Sequence, residues 1–219
     1  VGFQLFAYKE DGSRDRTFGI HGLGEAPPFR FFPSSVLVDG SSLLVSGTRR
    51  INGKYWPVIL SYRADGMLNE EFSSDGVAQP RVDVSSDIEV LKVEADGDLI
   101  ASFGREIGRL DHQGELIPDT SVTFPYRSLI AVLDDGSIIA ADKSEGQPVL
   151  RRLGPDLQLD SRFSQNGEPA KKLVAAIPSS YWSLTRLSEG SLFVTGQSGL
   201  YRTNLAASLF SADGRPIRS

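Results

Sequence analysis

The chain has 219 residues, 40% of them hydrophobic and 23% charged, so it can bury a sizeable core and is not a disordered tail. Its formal net charge of -5 argues against a nucleic acid or an anionic membrane held by bulk charge. With no Cys and only 2 His, disulfides, thiolate nucleophiles, thiolate-bound metals and imidazole-rich zinc sites are excluded.

The chain opens on Val1 and its only Met is Met67, which reads as a processed or trimmed product. No apolar run approaches the length of a membrane-spanning helix. The 22 Gly and 12 Pro suit a turn-rich fold, and no long stretch of helical periodicity is visible.

Two motifs alternate. The first to appear is a strand, a turn and an aromatic anchor. Leu5–Tyr8 leads to Asp11-Gly12, then Asp15, Phe18 and Gly22. Ile59–Tyr62 leads to Asp65-Gly66, then Asn69, Phe72 and Gly76. Leu150–Leu153 leads to Asp156-Leu157, then Asp160, Phe163 and Gly167. The offsets from the first Asp are +4, +7 and +11 in all three. A degraded copy at Gln113-Gly114 has Thr120 where the Phe belongs, and a last copy begins at Asp213-Gly214. The Asp or Asn residues can bond their own backbone and fix the loop. The Phe at +7 reads as a plug between neighbouring sheets rather than as a catalytic group.

The second motif is a turn followed by an apolar run. Its turn glycines stand at 40, 97, 136 and 190, spaced by 57, 39 and 54 residues. Gly takes positive φ without penalty, so an Asp-Gly pair between apolar runs signals a hairpin. Short apolar runs bounded by such turns read as buried strands.

In chain order the first repeat predicts strands over Phe29–Phe32, Ser35–Val38, Leu43–Thr48 and Pro57–Tyr62. The second predicts Arg81–Val84, Glu89–Glu94, Leu99–Gly104 and Glu106–Leu110. The third is short, 12 residues from Phe124 to Gly136, which leaves its first strand in question. The fourth predicts Lys172–Ile177, Trp182–Arg186, Leu192–Thr195 and Ala206–Phe210. Four-stranded antiparallel sheets at a period near 50 residues mark an all-β, β-propeller chain of about four blades. The chain reads as one domain, residues 1–219, with blades near 19–63, 73–110, 120–153 and 164–210. Phe3–Tyr8 is one strand too many. It leaves open an alternative, a piece of a larger or oligomer-completed propeller.

These motifs together, best at residues 11–47, 65–104 and 156–196, resemble the delta-60 repeat family of bacterial β-propeller-like proteins. The resemblance implies an exported or surface-associated protein and no shared catalytic residue.

Candidate binding residues follow from position. If first strands line a central channel, Arg30, Arg81, Asp83, Lys171 and Lys172 stand there, and their cations suit a carboxylate, phosphate or sugar acid. The segment from Arg49 and Arg50 through Lys54 to Tyr55 and Trp56 reads as the longest hairpin loop. Its cations and aromatics suit a partner contact. His21 and His112 fall in separate turns without a ligand partner. No Gly-x-Ser-x-Gly elbow is present. Two functional readings result. The favoured one is a non-catalytic binding or scaffold propeller, without cofactor, presenting loops to a protein or carbohydrate-like partner. The other is a metal-dependent propeller hydrolase or lactonase acting on a sugar acid or lactone, with Glu25, Asp83, Glu89 and Asp119 as the available oxygen ligands.

Overall fold

The computed structural model describes residues 3–40, 42–82, 88–124, 129–133, 135–144, 147–163, 180–198 and 204–218. Among them there is no helix, and the strands form four antiparallel sheets. Contacts divide the chain into two compact units, Val1–Ser121 and Val122–Ser219.

The first unit is built on two sheets. One runs β1 (Phe31–Asp39), β2 (Ser42–Ile51), β3 (Lys54–Arg63) and β4 (Val77–Ala78), in that order. The other runs β5 (Ile88–Val93), β6 (Leu99–Phe103), β7 (Glu106–Leu110) and β8 (Leu116–Thr123). The continuous apolar run in β3 is covered on both faces, as such runs require. Val58, Leu60 and Tyr62 enter a cluster with Phe31 and Val45. Ile59 points the other way, into a cluster shared with Ile88, Val90, Leu99 and Phe103 of the second sheet. The first strands of the two sheets, β1 and β5, lie against each other. The Ser34 hydroxyl ties them by donating to the Ile88 carbonyl at 2.8 Å.

The sheets are phased one strand later than the repeat predicts. Phe29–Phe32 and Ser35–Val38 are not two strands. Phe31 to Asp39 is one strand with a register shift between Pro33 and Ser35. Such a bulge lets Pro33 sit in a strand despite its missing N–H. The outer strand then comes from beyond the anchor loop, as β4 pairs with Ile59 and Leu60. Arg81 and Val82 are not in a strand, and 83 to 87 lie outside the described residues.

Among the described residues the surplus segment Phe3–Tyr8 joins no sheet, and its one bridge is Tyr8 to Arg14. It is bonded back on its own loop, with the Gly24 N–H on the Leu5 carbonyl at 2.9 Å and the Asp15 N–H on Ala7 at 2.9 Å. Phe3 and Leu5 pack on the cluster around Phe31, with the Phe3 ring edge-on to Phe31 at 5.3 Å.

The three anchor loops share one set of turn bonds. The N–H at +4 donates to the carbonyl four residues before the first Asp: Asp15 to Ala7, Asn69 to Ser61, Asp160 to Arg152, at 2.8 to 2.9 Å. The first Asp accepts from the N–H two residues on, Asp11 from Ser13, Asp65 from Met67 and Asp156 from Gln158. Asp15, Asn69 and Asp160 do the same for residues 17, 71 and 162. The Phe at +7 rests on the turn glycine of the next copy. A Cβ built on Gly66 would stand 2.8 Å from the Phe18 ring, and one on Gly214 would stand 2.4 Å from Phe163. Phe72 lies over Gly114 in the same way, at 3.8 Å. The copy without Phe is followed by the copy without Gly, where Leu157 takes φ 61° and is buried.

The second unit has a three-stranded sheet, β9 (Leu129–Val132), β10 (Ile138–Ser144) and β11 (Gln147–Leu153), ordered β11-β10-β9. Its other sheet is β12 (Ser180–Arg186), β13 (Leu192–Ser198), β14 (Asn204–Phe210) and β15 (Pro216–Arg218). In the shifted phase the three-stranded sheet opens on β9, the counterpart of β1 and β5. The position matching β4 falls in 164 to 179, outside the described residues, as do Lys171, Lys172 and the strand expected at Lys172–Ile177. The core holds Ile139, Leu150, Phe163, Leu192, Val194 and Phe210.

The loop carboxylates give the chain an acid limit. The Ser13 hydroxyl holds the Asp11 carboxyl below its usual 3.8, the Thr17 hydroxyl does so for Asp15, and the Met67 and Arg162 N–H groups do so for Asp65 and Asp160. Folded values below the unfolded ones add stability that is complete above about pH 4 and is lost as pH falls through the depressed values. The expected result is a Tm that is flat toward neutral pH and drops below pH 3.8. Asn69 shows that Asn fits the +4 position. The D15N/D160N variant should therefore keep the loop but start from a lower neutral Tm and lose part of the acid drop in thermal scans from pH 5 to 2.

Candidate functional site

The segment predicted as the longest hairpin loop is mostly strand. Arg49, Arg50 and Ile51 pair with Trp56, Tyr55 and Lys54, and only Asn52 and Gly53 turn, at φ 50° and 81°. Asn-Gly suits a turn that needs positive φ twice. Strand alternation therefore splits the predicted patch between two faces. Arg50 and Tyr55 share one face, with the guanidinium 5.9 Å from the ring centre. Arg49 and Trp56 share the other, and Arg49 lies 5.0 Å over the Phe29 ring. Arg30, just before β1, sits 5.0 Å over Phe32, and Phe32 meets Tyr55 edge-on at 6.0 Å.

Trp56 belongs to a groove. The two residues of β4 pair with Ile59 and Leu60, so β4 does not reach Trp56 and Pro57. Pro57 has no N–H to offer along that edge. There the chain opens a cavity of about 730 Å³. Its apolar side is Trp56, Pro57, Val77, Pro80 and Val82; its polar side is Ser73, Gln79, Arg81 and Glu115. Trp56 is 47% exposed, a large ring left in water. Glu115 is held at its backbone from both directions by Asp111. Its N–H donates to the Asp111 carboxylate at 2.9 Å, and its carbonyl accepts the Asp111 N–H at 2.8 Å. The Arg81 guanidinium stands 4.0 Å from the Glu115 carboxylate, and both side chains are more than half exposed. The site thus offers an aromatic face, an amide, a hydroxyl, a cation and one carboxylate around one open space.

No family model matches the chain, and no curated protein matches it in sequence. In structure it is similar to a glycoside hydrolase, at 11% identity and a TM-score of 0.40, over 85% of this chain and 48% of that one. It is also similar to the GH43 endo-arabinanase from Bacillus licheniformis, at 9% identity and a TM-score of 0.31, over 89% and 99%. The chain spans about half the length of the first. Likeness at this level assigns no activity by itself.

The non-catalytic scaffold reading is corrected to this extent: the solved structures similar to this chain carry the names of glycoside hydrolases. The oxygen ligands expected for the metal-dependent lactonase are not gathered at one place among the described residues. Among the described residues no group of three or more His, Asp or Glu is placed to hold a metal ion. Glu25 is a brace: its carboxylate accepts the Leu68 N–H at 2.9 Å and its carbonyl the Tyr62 hydroxyl at 2.9 Å. Glu89 is exposed on β5, Asp119 is exposed on β8 at φ 59°, and Asp83 lies outside the described residues. Both His21 and His112 are exposed in turns. Among the described residues no helix is long and apolar enough to cross a membrane.

Of the predicted binding residues, Trp56 and Arg81 are brought together, although the sequence offers them on separate grounds. Arg30, Arg50 and Tyr55 gather beside the same hairpin. Gln79, Ser73 and Glu115 carry no signal in the sequence. Glu115 follows the turn glycine of the degraded copy, where other copies have Ser13, Met67, Gln158 and Arg215.

Proposed function

We propose that this chain acts on carbohydrate, as a hydrolase of glycosidic bonds, with the groove beside Trp56 as the place where a sugar lies. The observation that carries this is the groove itself. An exposed indole offers an apolar plate for a sugar face, and Gln79, Ser73 and Arg81 offer donors for hydroxyls. Glu115 is the carboxyl group that would protonate a leaving glycosidic oxygen or activate a water. Glycoside hydrolysis generally uses two carboxyl groups across the bond. Glu115 accounts for one, and no second lines the groove among the described residues. In this reading the four sheets are blades of a propeller and the chain is a delta-60 repeat protein. The shared turn bonds of the three anchor loops support that, as does the packing of β1 on β5 and of β9 on β12.

The chain has 2 Trp, so Trp182→Phe leaves Trp56 as its only indole. Titrating that variant with arabinan, xylan, galactan and polygalacturonate fragments should quench and blue-shift the emission with at least one of them. Emission unmoved by every glycan would remove the groove as a sugar site.

A further inference from the structure

In each of the four sheets one strand leads into a repeat turn, and the residue three before the turn's Asp position is buried. These residues are Tyr62, Leu110, Leu153 and Phe210, each exposed by 1% or less. Each lies opposite an aliphatic residue of the strand before it: Leu43, Leu99, Ile138 and Leu192. Two residues earlier, Leu60, Gly108, Arg151 and Ser208 lie opposite Val45, Ala101, Ala140 and Val194. In the first copy these two positions are Tyr8 and Phe6. They are 67% and 38% exposed.

The backbone shows which edge is open. On one side Phe3–Tyr8 has the partners that β3 has. Gly24, whose N–H donates to the Leu5 carbonyl, lies 13 residues after Asp11, as Ala78 of β4 lies after Asp65. The Asp15 N–H on Ala7 repeats Asn69 on Ser61, and the Lys9 N–H on Ser13 repeats Arg63 on Met67. Residues 5, 7 and 9 are used in this way. Alternate residues of an extended chain turn their N–H and C=O to the opposite edge. Among the described residues no backbone bond reaches Gln4, Phe6 or Tyr8 there. In the second copy that edge is taken by β2. The Phe6 ring is held under the Arg14 guanidinium at 4.4 Å, and Arg14 in turn donates to the Gly22 carbonyl at 2.9 Å. At the same end Gly12 is open, whereas Gly66, Gly114 and Gly214 each meet the anchor Phe of an earlier copy.

We propose that the open edge of residues 4 to 8 is a docking site for an extended strand of another polypeptide. The strand lies antiparallel, with Leu or Ile opposite Tyr8 and Val or Ala opposite Phe6. A sheet edge with unpaired N–H and C=O groups is a template for such addition. Main-chain bonds supply the affinity, and alternate side chains supply the choice of partner. The chemistry of the occupant follows from the four strands of this chain that fill the same place.

The probe is a peptide with the sequence of residues 41 to 50, which contains the core of β2, added to the intact chain. Amide exchange at Phe6 and Tyr8 is followed by NMR, and affinity by the anisotropy of the labelled peptide. Both amides should slow by at least about tenfold at saturation. The same peptide N-methylated at Val45, the residue opposite Phe6, should bind at least about tenfold more weakly. Phe6→Pro removes an N–H at the open edge and leaves the bonds to the Leu5 and Ala7 carbonyls, so it should weaken binding as much at an unchanged Tm. No binding up to about 1 mM peptide, or equal binding of the N-methylated peptide, would overturn the proposal. Slow exchange of both amides in the free monomeric chain would overturn it as well, since the edge would already be covered. A concentration-dependent dimer abolished by F6P would give the edge to a second copy of this chain and overturn the proposed donor.

Discussion

Replacing Phe72 by Ala is expected to destabilise the chain by about 3–5 kcal/mol, the cost of truncating a buried aromatic. Phe72 is 8% exposed and is shared by the cluster that joins the two sheets of the first unit. It lies over Gly114, where a Cβ would also stand 2.3 Å from the Ala78 Cβ, so the loop is clamped against the next turn with no room to spare. Urea unfolding followed by circular dichroism measures the loss. Phe6 is the control: it is 38% exposed, and Phe6→Ala should cost about 0.5 kcal/mol or less. A second arm tests the packing partner. Gly66→Ala forces a left-handed φ of +84° on a residue with a Cβ and pushes that Cβ into the Phe18 ring. In a Phe18→Ala background the ring is gone, and what remains is backbone strain of about 1–2 kcal/mol together with the 2.9 Å approach to the Gly19 N. The two changes should therefore couple. An F72A variant as stable as F6A, or additive costs at 18 and 66, would mean that the anchor is not what joins the copies.

The anchor was legible because its residues are spaced by local geometry. Asp11, Asp65 and Asp156 close turns within a few residues, and the +4 and +7 positions follow from the same loop. Strand phase was less legible. Pro33-Ser34 between two apolar runs looks like a break, yet the bulge there carries one strand through. Leu5 to Tyr8 has the composition of a strand, but its polar backbone groups are met by Asp15 and Gly24 of its own loop. The site was legible only in pieces. Trp56 and Arg81 stand out as an aromatic and a cation, but what joins them is the shortness of β4, which no periodicity announces. Glu115 is an ordinary turn residue in the sequence. It becomes part of a site because the turn after β7 folds back beside Arg81. The predicted loop at Arg49–Trp56 failed for a simple reason. Asn52-Gly53 makes a complete two-residue turn, so the flanking residues pair and alternate faces.

The central claim is catalytic, and Glu115 is where it is most exposed to failure. Gln at this position keeps the shape and the Arg81 neighbour but cannot give or take the proton. Removing a general acid or base typically costs about 10²–10⁴-fold in rate. Glu115 is exposed and its backbone bonds to Asp111 do not involve the side chain, so Glu115→Gln should leave the Tm in place. The decisive measurement is release of new reducing ends from a polysaccharide that quenches Trp56, compared between the wild-type chain and E115Q at equal bound substrate. The account predicts cleavage by the wild type and a loss of at least about 100-fold in E115Q with binding retained. Cleavage at full rate by E115Q, or none by the wild-type chain on a glycan that it binds, would contradict it.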